Sequence, residues 1–197
     1  TETTASVSLF IDTDGKGCNG FQIDDGLLSE DGLQSFTMED IADRLPADVR
    51  AGEKFYIYAV IDDAGTSRLY AIATATGQRQ GLTRQRSYGS ISLSRDGQTL
   101  VALRESFVEP PTLVKVDTRG GEATKLSTFN DGLLGKIDFG SYESVTYKGA
   151  SGADIQMWVN YPPGFDQARR WPVYMLIHGG PHNGVQDSFM WRWQAQL

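Results

Sequence analysis

Residues 171–184 read Trp171-Pro172-Val173-Tyr174-Met175-Leu176-Ile177-His178-Gly179-Gly180-Pro181-His182-Asn183-Gly184. Five uninterrupted apolar residues, Val173 to Ile177, stand between Pro172 and a His-Gly-Gly-Pro turn. A short run without polar alternation suits a strand covered on both faces, as in a parallel sheet flanked by helices. The glycine pair can take positive φ and bring bare N–H groups close to whatever lies past the strand end. Pro181 removes one donor and fixes the exit. Downstream, Phe189, Trp193 and Leu197 at i, i+4 and i+8, behind Asp187 or Ser188 as N-cap, predict a helix. The local pattern is strand, glycine turn, helix.

Upstream, Glu143–Lys148 and Asp154–Tyr161 alternate around the turn Gly149-Ala150-Ser151-Gly152, which predicts a hairpin with Ile155, Met157, Val159 and Tyr161 on one face. Pro162-Pro163-Gly164-Phe165-Asp166 then leads to the apolar run. Further back the chain repeats. Gly52–Val60 matches Gly97–Leu103, Leu69–Ile72 matches Leu113–Val116, and Gln80–Thr83 matches Thr124–Ser127, at offsets of 45, 44 and 44 residues. Short strands at a period of about 40–45 residues, joined by Asp-Gly, Ala-Gly and Gly-Gly turns, are the mark of propeller blades. Ser94-Arg95-Asp96-Gly97-Gln98 gives a hairpin signal inside that pattern. Two blades can be counted, with a degraded third. Since a ring needs about four to eight blades, the chain is expected to be part of something longer. In residues 1–50, Val7–Ile11 alternates as a short strand, and Phe36–Leu45 is either a helical turn or an irregular loop.

The order of blades, hairpin, Pro-Pro-Gly-Phe-Asp, apolar strand and His178-Gly179-Gly180-Pro181-His182 resembles the prolyl oligopeptidase family, in particular its acylaminoacyl-peptidase and dipeptidyl-peptidase branches. The resemblance covers roughly residues 50–197. It implies a mostly β chain in which partial β-propeller blades (residues 1–135) are followed by the first strands of an α/β-hydrolase domain (residues 136–197). It also implies a serine peptidase acting on peptide or acyl-aminoacyl bonds through a Ser-His-Asp triad, with the propeller restricting entry to small substrates. Gly179 and Gly180 then take the role of oxyanion-hole backbone donors, which hold charge developing on the scissile carbonyl oxygen.

A serine hydrolase needs Gly-x-Ser-x-Gly between strand and helix, then an acid and a histidine. None of these lies in the chain. Gly149-Ala150-Ser151-Gly152-Ala153 ends in Ala and sits between two strands, so Ser151 reads as a hairpin-turn residue. His178 and His182, the two histidines of the chain, are spaced like a metal pair, but Gly-Gly-Pro between them would not hold a helix and the glutamate base is missing. They read instead as lining the substrate cleft or orienting the turn, with hydrogen bonding to loop carbonyls as the alternative. No metal and no cofactor is expected. Gly179 and Gly180 also have a packing reading as a tight turn, and Phe189, Trp191 and Trp193 read as core more readily than as a stacking site.

The formal net charge of −7 argues against nucleic acid or an anionic membrane as partner. No apolar run approaches the roughly 18 residues that span a bilayer. Cys18 is the single cysteine, so no internal disulfide forms and the redox compartment stays open. Asp24-Asp25, Glu30-Asp31 and Asp62-Asp63 lack calcium-loop spacing and read as solvated turns. The start contains neither an initiator Met nor a signal-peptide core, and neither a cytoplasmic nor an exported location is favoured.

The expected partners are a peptide substrate and the remainder of the catalytic domain, on the same polypeptide or a second chain. A homo-oligomer stays open. Without strand four of a hydrolase sheet, the Val173–Ile177 strand would expose an apolar edge, so the chain alone is expected to be inactive and stable only beside that sequence. An esterase of the same architecture and a non-catalytic propeller module that binds peptides or proteins are the alternatives. Gly-x-Ser-x-Gly within about 100 residues after Leu197 would mark the enzyme, and continued repeats the binding module.

Overall fold

The computed structural model describes residues 56–73, 76–179, 184–192 and 194–195. The expectations for Val7–Ile11 and Phe36–Leu45 lie outside them. The described chain is mostly β, in three antiparallel sheets. The first contains β1 (Tyr56–Asp63), β2 (Thr66–Ala73) and β3 (Arg79–Gly81) in that order. The second contains β4 (Ser87–Leu93), β5 (Thr99–Ser106), β6 (Glu109–Asp117) and β7 (Thr124–Lys125). A single helical turn, α1 (Asp131–Leu134), precedes the hairpin of β8 (Tyr142–Lys148) and β9 (Asp154–Asn160).

Turn chemistry sets the hairpins. Ala64 and Gly65, with φ of 50° and 75°, link β1 to β2 as the two central residues of a turn whose twist matches the strands. Between β4 and β5, Ser94 Oγ–H donates to Asp96 Oδ1 (2.6 Å), the Gln98 N–H donates to that same oxygen (3.1 Å), and the Thr99 N–H donates to Ser94 Oγ (2.9 Å). Those bonds hold the Asp96 carboxyl below its ordinary range, Ser94 contributing most.

The repeat read from the sequence is present bond for bond. The Leu82 N–H donates to Leu69 O and the Leu126 N–H to Leu113 O, both at 2.8 Å, and the two pairs are 44 residues apart. The Leu69 N–H donates to Thr83 Oγ1 and the Leu113 N–H to Ser127 Oγ, both at 3.0 Å and again 44 residues apart. Successive repeat sheets therefore look the same way. The cross-strand pair Val60–Leu69 of the first corresponds to Leu103–Leu113 of the second. Tyr58, Leu69, Ala71 and Leu82 close a core against Tyr88, Ile91, Leu100, Ala102, Val114 and Val116, so one face of the first sheet is covered by the opposite face of the second.

The β8–β9 hairpin forms where the alternation predicts, and Ala150–Gly152 makes its tight turn with Ser151 at φ 59°. Ser151 is thus a turn residue, as its neighbours imply. The hairpin turns Tyr142, Ser144, Gln156 and Trp158 toward the repeat sheets. Trp158 and Tyr142 both meet the Phe107 ring edge-on, at centroid distances of 5.4 and 5.2 Å. Gln156 Nε2–H donates to Ala64 O at 2.6 Å. Tyr147, Ile155 and Met157, on the other face, are exposed.

Two expectations are corrected. Val173–Ile177 is not a buried strand: its side chains are 76–89% exposed, and none of its residues pairs with a strand among the described residues. An apolar run records that a segment is to be covered, but ladder hydrogen bonds need a neighbouring strand, and no strand among the described residues pairs with it. Nor do the described residues after Gly184 form a helix capped by Asp187 or Ser188. The Phe189 N–H donates to Glu105 Oε2 (3.0 Å) and Gln194 Nε2–H to Phe107 O (2.9 Å). Asp187 faces the repeat sheets, and these tertiary contacts override a local periodicity that rested on three residues.

Candidate functional site

The glycine turn is the site that the sequence singles out. His178 is exposed, and its Nδ1 stands 3.1 Å from Gly179 O. A Cβ placed on Gly179 would meet nothing within 4 Å. No described residue fills the space on that side of Gly179, which does not use a positive φ. Gly180 and His182 lie outside the described residues.

What the structure does place is the anchor beyond the turn. Chain 184–189 returns to the repeat sheets and is held along its length. Trp158 Nε1–H donates to Val185 O (2.9 Å), and the Asp187 N–H donates to Gly65 O (2.7 Å) at the β1–β2 turn. Asp187, only 2% exposed, accepts the Phe107 N–H at Oδ1 (2.9 Å) and the Tyr142 hydroxyl at Oδ2 (3.0 Å). Arg86 Nη1–H donates to Ser106 Oγ (2.6 Å) and to Tyr142 Oη (3.1 Å), which places a cation behind the tyrosine. Burial raises the Asp187 carboxyl above its ordinary range, against the opposing pull of the Phe107 and Tyr142 bonds and the Arg86 charge. Burial likewise raises Tyr142.

Beside this anchor is a cavity of about 360 Å³, walled by Ser67, Ser87, Leu103, Glu105, Gln186 and Ser188 among others. Gln186, one of the lining residues, has its Oε1 buried with no hydrogen-bond partner among the described residues.

Sequence reasoning missed Asp187, Tyr142, Phe107 and Arg86 as a cluster. One signal was present. Tyr142 and Trp158 stand on the polar face of the hairpin, opposite Ile155 and Met157, and an aromatic pair on a nominally solvated face announces a second packing surface.

These features define a mostly β chain of two repeat sheets and an appended hairpin. No family model matches it. The chain is 28% identical over 145 residues to dipeptidyl-peptidase 5 of Schizosaccharomyces pombe, which covers 72% of this chain and 20% of that protein. It is also 28% identical over 142 residues to dipeptidyl-peptidase 5 of Porphyromonas gingivalis, again covering 72% and 20%. Among solved structures, that of Porphyromonas gingivalis dipeptidyl peptidase 4 matches with a TM-score of 0.50 at 19% identity, over 72% of this chain and 20% of that one. The chain thus spans about a fifth of the length of the curated relatives it matches. The resemblance to prolyl oligopeptidase-family peptidases drawn from the residues is borne out by these relatives.

Proposed function

We propose that the chain is part of a serine peptidase of the prolyl oligopeptidase type, one that releases dipeptides or acyl-aminoacyl units from small peptides. In this reading residues 1–135 belong to the propeller and residues 136–197 open the hydrolase domain. The nucleophile, acid and base come from sequence beyond Leu197. The observation that carries the reading is the glycine turn, where no described residue fills the space beside Gly179. It belongs to a chain whose likeness to two dipeptidyl-peptidases 5 extends over 72% of its length.

Two exposed apolar surfaces support the same reading. Val173–Ile177 and the Tyr147, Ile155 and Met157 face of the hairpin are the surfaces that a completed hydrolase sheet and its helices would cover. In the assembled site the Gly179 and Gly180 N–H groups donate to the oxygen of the tetrahedral intermediate. His178 steadies the turn, and His182 lines the cleft.

The test uses a longer polypeptide carrying this sequence. Fluorophosphonate should label it on a serine outside residues 1–197, and it should hydrolyse dipeptidyl anilides. Gly180→Pro, which deletes one N–H donor, should lower kcat by about 10²–10³. Labelling at Ser151, or no labelling at all, would overturn the proposal.

A further inference from the structure

The described residues hold one buried carboxyl group that the proposed chemistry leaves unused, Asp187. Its main-chain N–H binds the first sheet at Gly65 O (2.7 Å), its Oδ1 binds the second at the Phe107 N–H (2.9 Å), and its Oδ2 binds the hairpin at the Tyr142 hydroxyl (3.0 Å). One residue therefore touches all three sheets, five positions after His182 and eight after Gly179 in the sequence. We propose that Asp187 is a positioning residue that ties the exit of the glycine turn to the tips of the two repeat sheets, so that the propeller side of the molecule sets where the oxyanion donors stand. The inference rests on the oxyanion reading of that turn.

Three observations carry it. The two arms of Asp187 reach equivalent places in the repeat, the β1–β2 and β5–β6 hairpin tips, so the tie registers one sheet against the other as well as the turn against both. The node continues outward: Arg86 Nη1–H reaches Ser106 Oγ and Tyr142 Oη, Trp158 Nε1–H holds Val185 O, and Gln194 Nε2–H holds Phe107 O. Phe107, Tyr142 and Trp158 pack ring against ring around it. Finally, a carboxylate is costly at a buried site when a helix cap or a polar loop could have taken its place. Its retention here matches a demand for geometry more than for stability.

An acceptor with two oxygens held by a backbone N–H and a phenol has little rotational freedom, and Arg86 behind the phenol balances its charge. Truncating the side chain frees the β5–β6 tip and the β8–β9 hairpin from the exit segment, while the main-chain bond to Gly65 O stays. Misplacing catalytic donors by about an ångström costs on the order of a hundredfold in rate even when the mutated residue is far from the chemistry.

The test compares Asp187→Ala, Asp187→Asn and Tyr142→Phe. Asn keeps one oxygen for the Phe107 N–H and is the variant expected to stay closest to the native fold. By hydrogen exchange on the longer polypeptide carrying this sequence, Asp187→Ala should speed exchange at Phe107 by about five- to tenfold, the loss of one hydrogen bond, and Asp187→Asn should largely restore it. Unchanged exchange at Phe107 in both variants would overturn the tie.

In the longer peptidase, Asp187→Ala should lower kcat by on the order of ten- to a hundredfold with KM within about twofold, Tyr142→Phe less so, with partial rescue by Asn. A core variant such as Ile91→Val, which lowers stability without touching the node, should leave kcat unchanged. Accelerated exchange with unaltered kcat would overturn the positioning role. If the unmutated peptidase has no hydrolase activity, the oxyanion reading fails, and the exchange result alone then decides whether Asp187 ties the sheets.

Discussion

Leu69 and Leu113 occupy the same place in two repeats and live in opposite surroundings. Each carbonyl accepts an N–H from a leucine of the following strand region, and each N–H donates to a hydroxyl, Thr83 in one case and Ser127 in the other. Yet Leu69 is 1% exposed and Leu113 is 38% exposed. The local hydrogen bonding of the unit is written in its own residues, whereas burial is supplied by whichever sheet comes next. The first sheet has the second against it, whereas the face that carries Leu103 and Leu113 meets no further sheet among the described residues, only chain 186–189 beside Leu103. That is the behaviour of stacked repeats, in which stability is the sum of each unit and its interface with a neighbour.

The largest effect expected from this contrast is in the core. Leu69→Ala should destabilise the chain by about 2–5 kcal/mol, because the side chain is enclosed and the cavity left behind cannot collapse fully. Leu113→Ala, the same change 44 residues on, should cost about 1 kcal/mol or less, since much of that side chain is already in water. Urea unfolding of the two variants side by side measures both. Equal costs would break the comparison and show a hidden partner on the outer face of the second sheet.

The next effect is smaller and concerns the shared hydroxyl. Thr83 is buried where it accepts the Leu69 N–H, so Thr83→Ala strands a buried donor and should cost about 1–3 kcal/mol. Ser127 accepts the Leu113 N–H closer to solvent, water can replace it, and Ser127→Ala should cost about 0.5 kcal/mol. Restoring the difference with Thr83→Ser, which keeps the oxygen and loses a methyl group, would separate the hydrogen bond from packing.

The same contrast explains what the sequence could reveal. The repeat, the hairpin turns at Ala64-Gly65 and Ser94–Gln98, the β8–β9 hairpin and the innocence of Ser151 were all readable, because alternation and turn residues act over a few positions. The fate of Val173–Ile177 was not, since five apolar residues state a need for cover without saying what provides it. The Asp187 node was hidden for a related reason. Its partners Gly65, Phe107 and Tyr142 lie 122, 80 and 45 residues away, and an Asp-Ser pair before aromatic residues carries the same local signal whether it caps a helix or reaches across sheets. Of the candidate site, the residues single out the stretch His178–His182, and they carry no sign of the anchor that follows it.

A third expectation follows from the raised Asp187 carboxyl. Burial is its main cause, outweighing the Phe107 and Tyr142 hydrogen bonds and the Arg86 charge, with Glu109 adding to the rise. A carboxyl whose folded value lies above its unfolded one binds its proton more tightly in the fold. Its contribution is therefore complete below the unfolded value and is lost as pH climbs through the folded one. As pH falls through the folded value toward the ordinary carboxylate range, the native chain should gain stability relative to Asp187→Asn, which cannot take up that proton. A difference that stays flat across this range would mean that the carboxyl is not raised.

The smallest expected effect comes from the uncovered segment. Met175 is among the exposed residues of the apolar run, so Met175→Lys should shift the unfolding of the 197-residue chain by no more than about 0.5 kcal/mol, the scale of an ordinary surface substitution. In a longer polypeptide whose hydrolase sheet covers the run, the same lysine would be a buried, unpaired charge and should prevent the domain from folding. The pair of measurements converts the comparison of Leu69 with Leu113 into a test at the other end of the chain. A large cost in the short chain would show that Val173–Ile177 already packs on something within it. A negligible cost in both would mean that this apolar run never enters a core, and the hydrolase reading of residues 136–197 would lose its central strand.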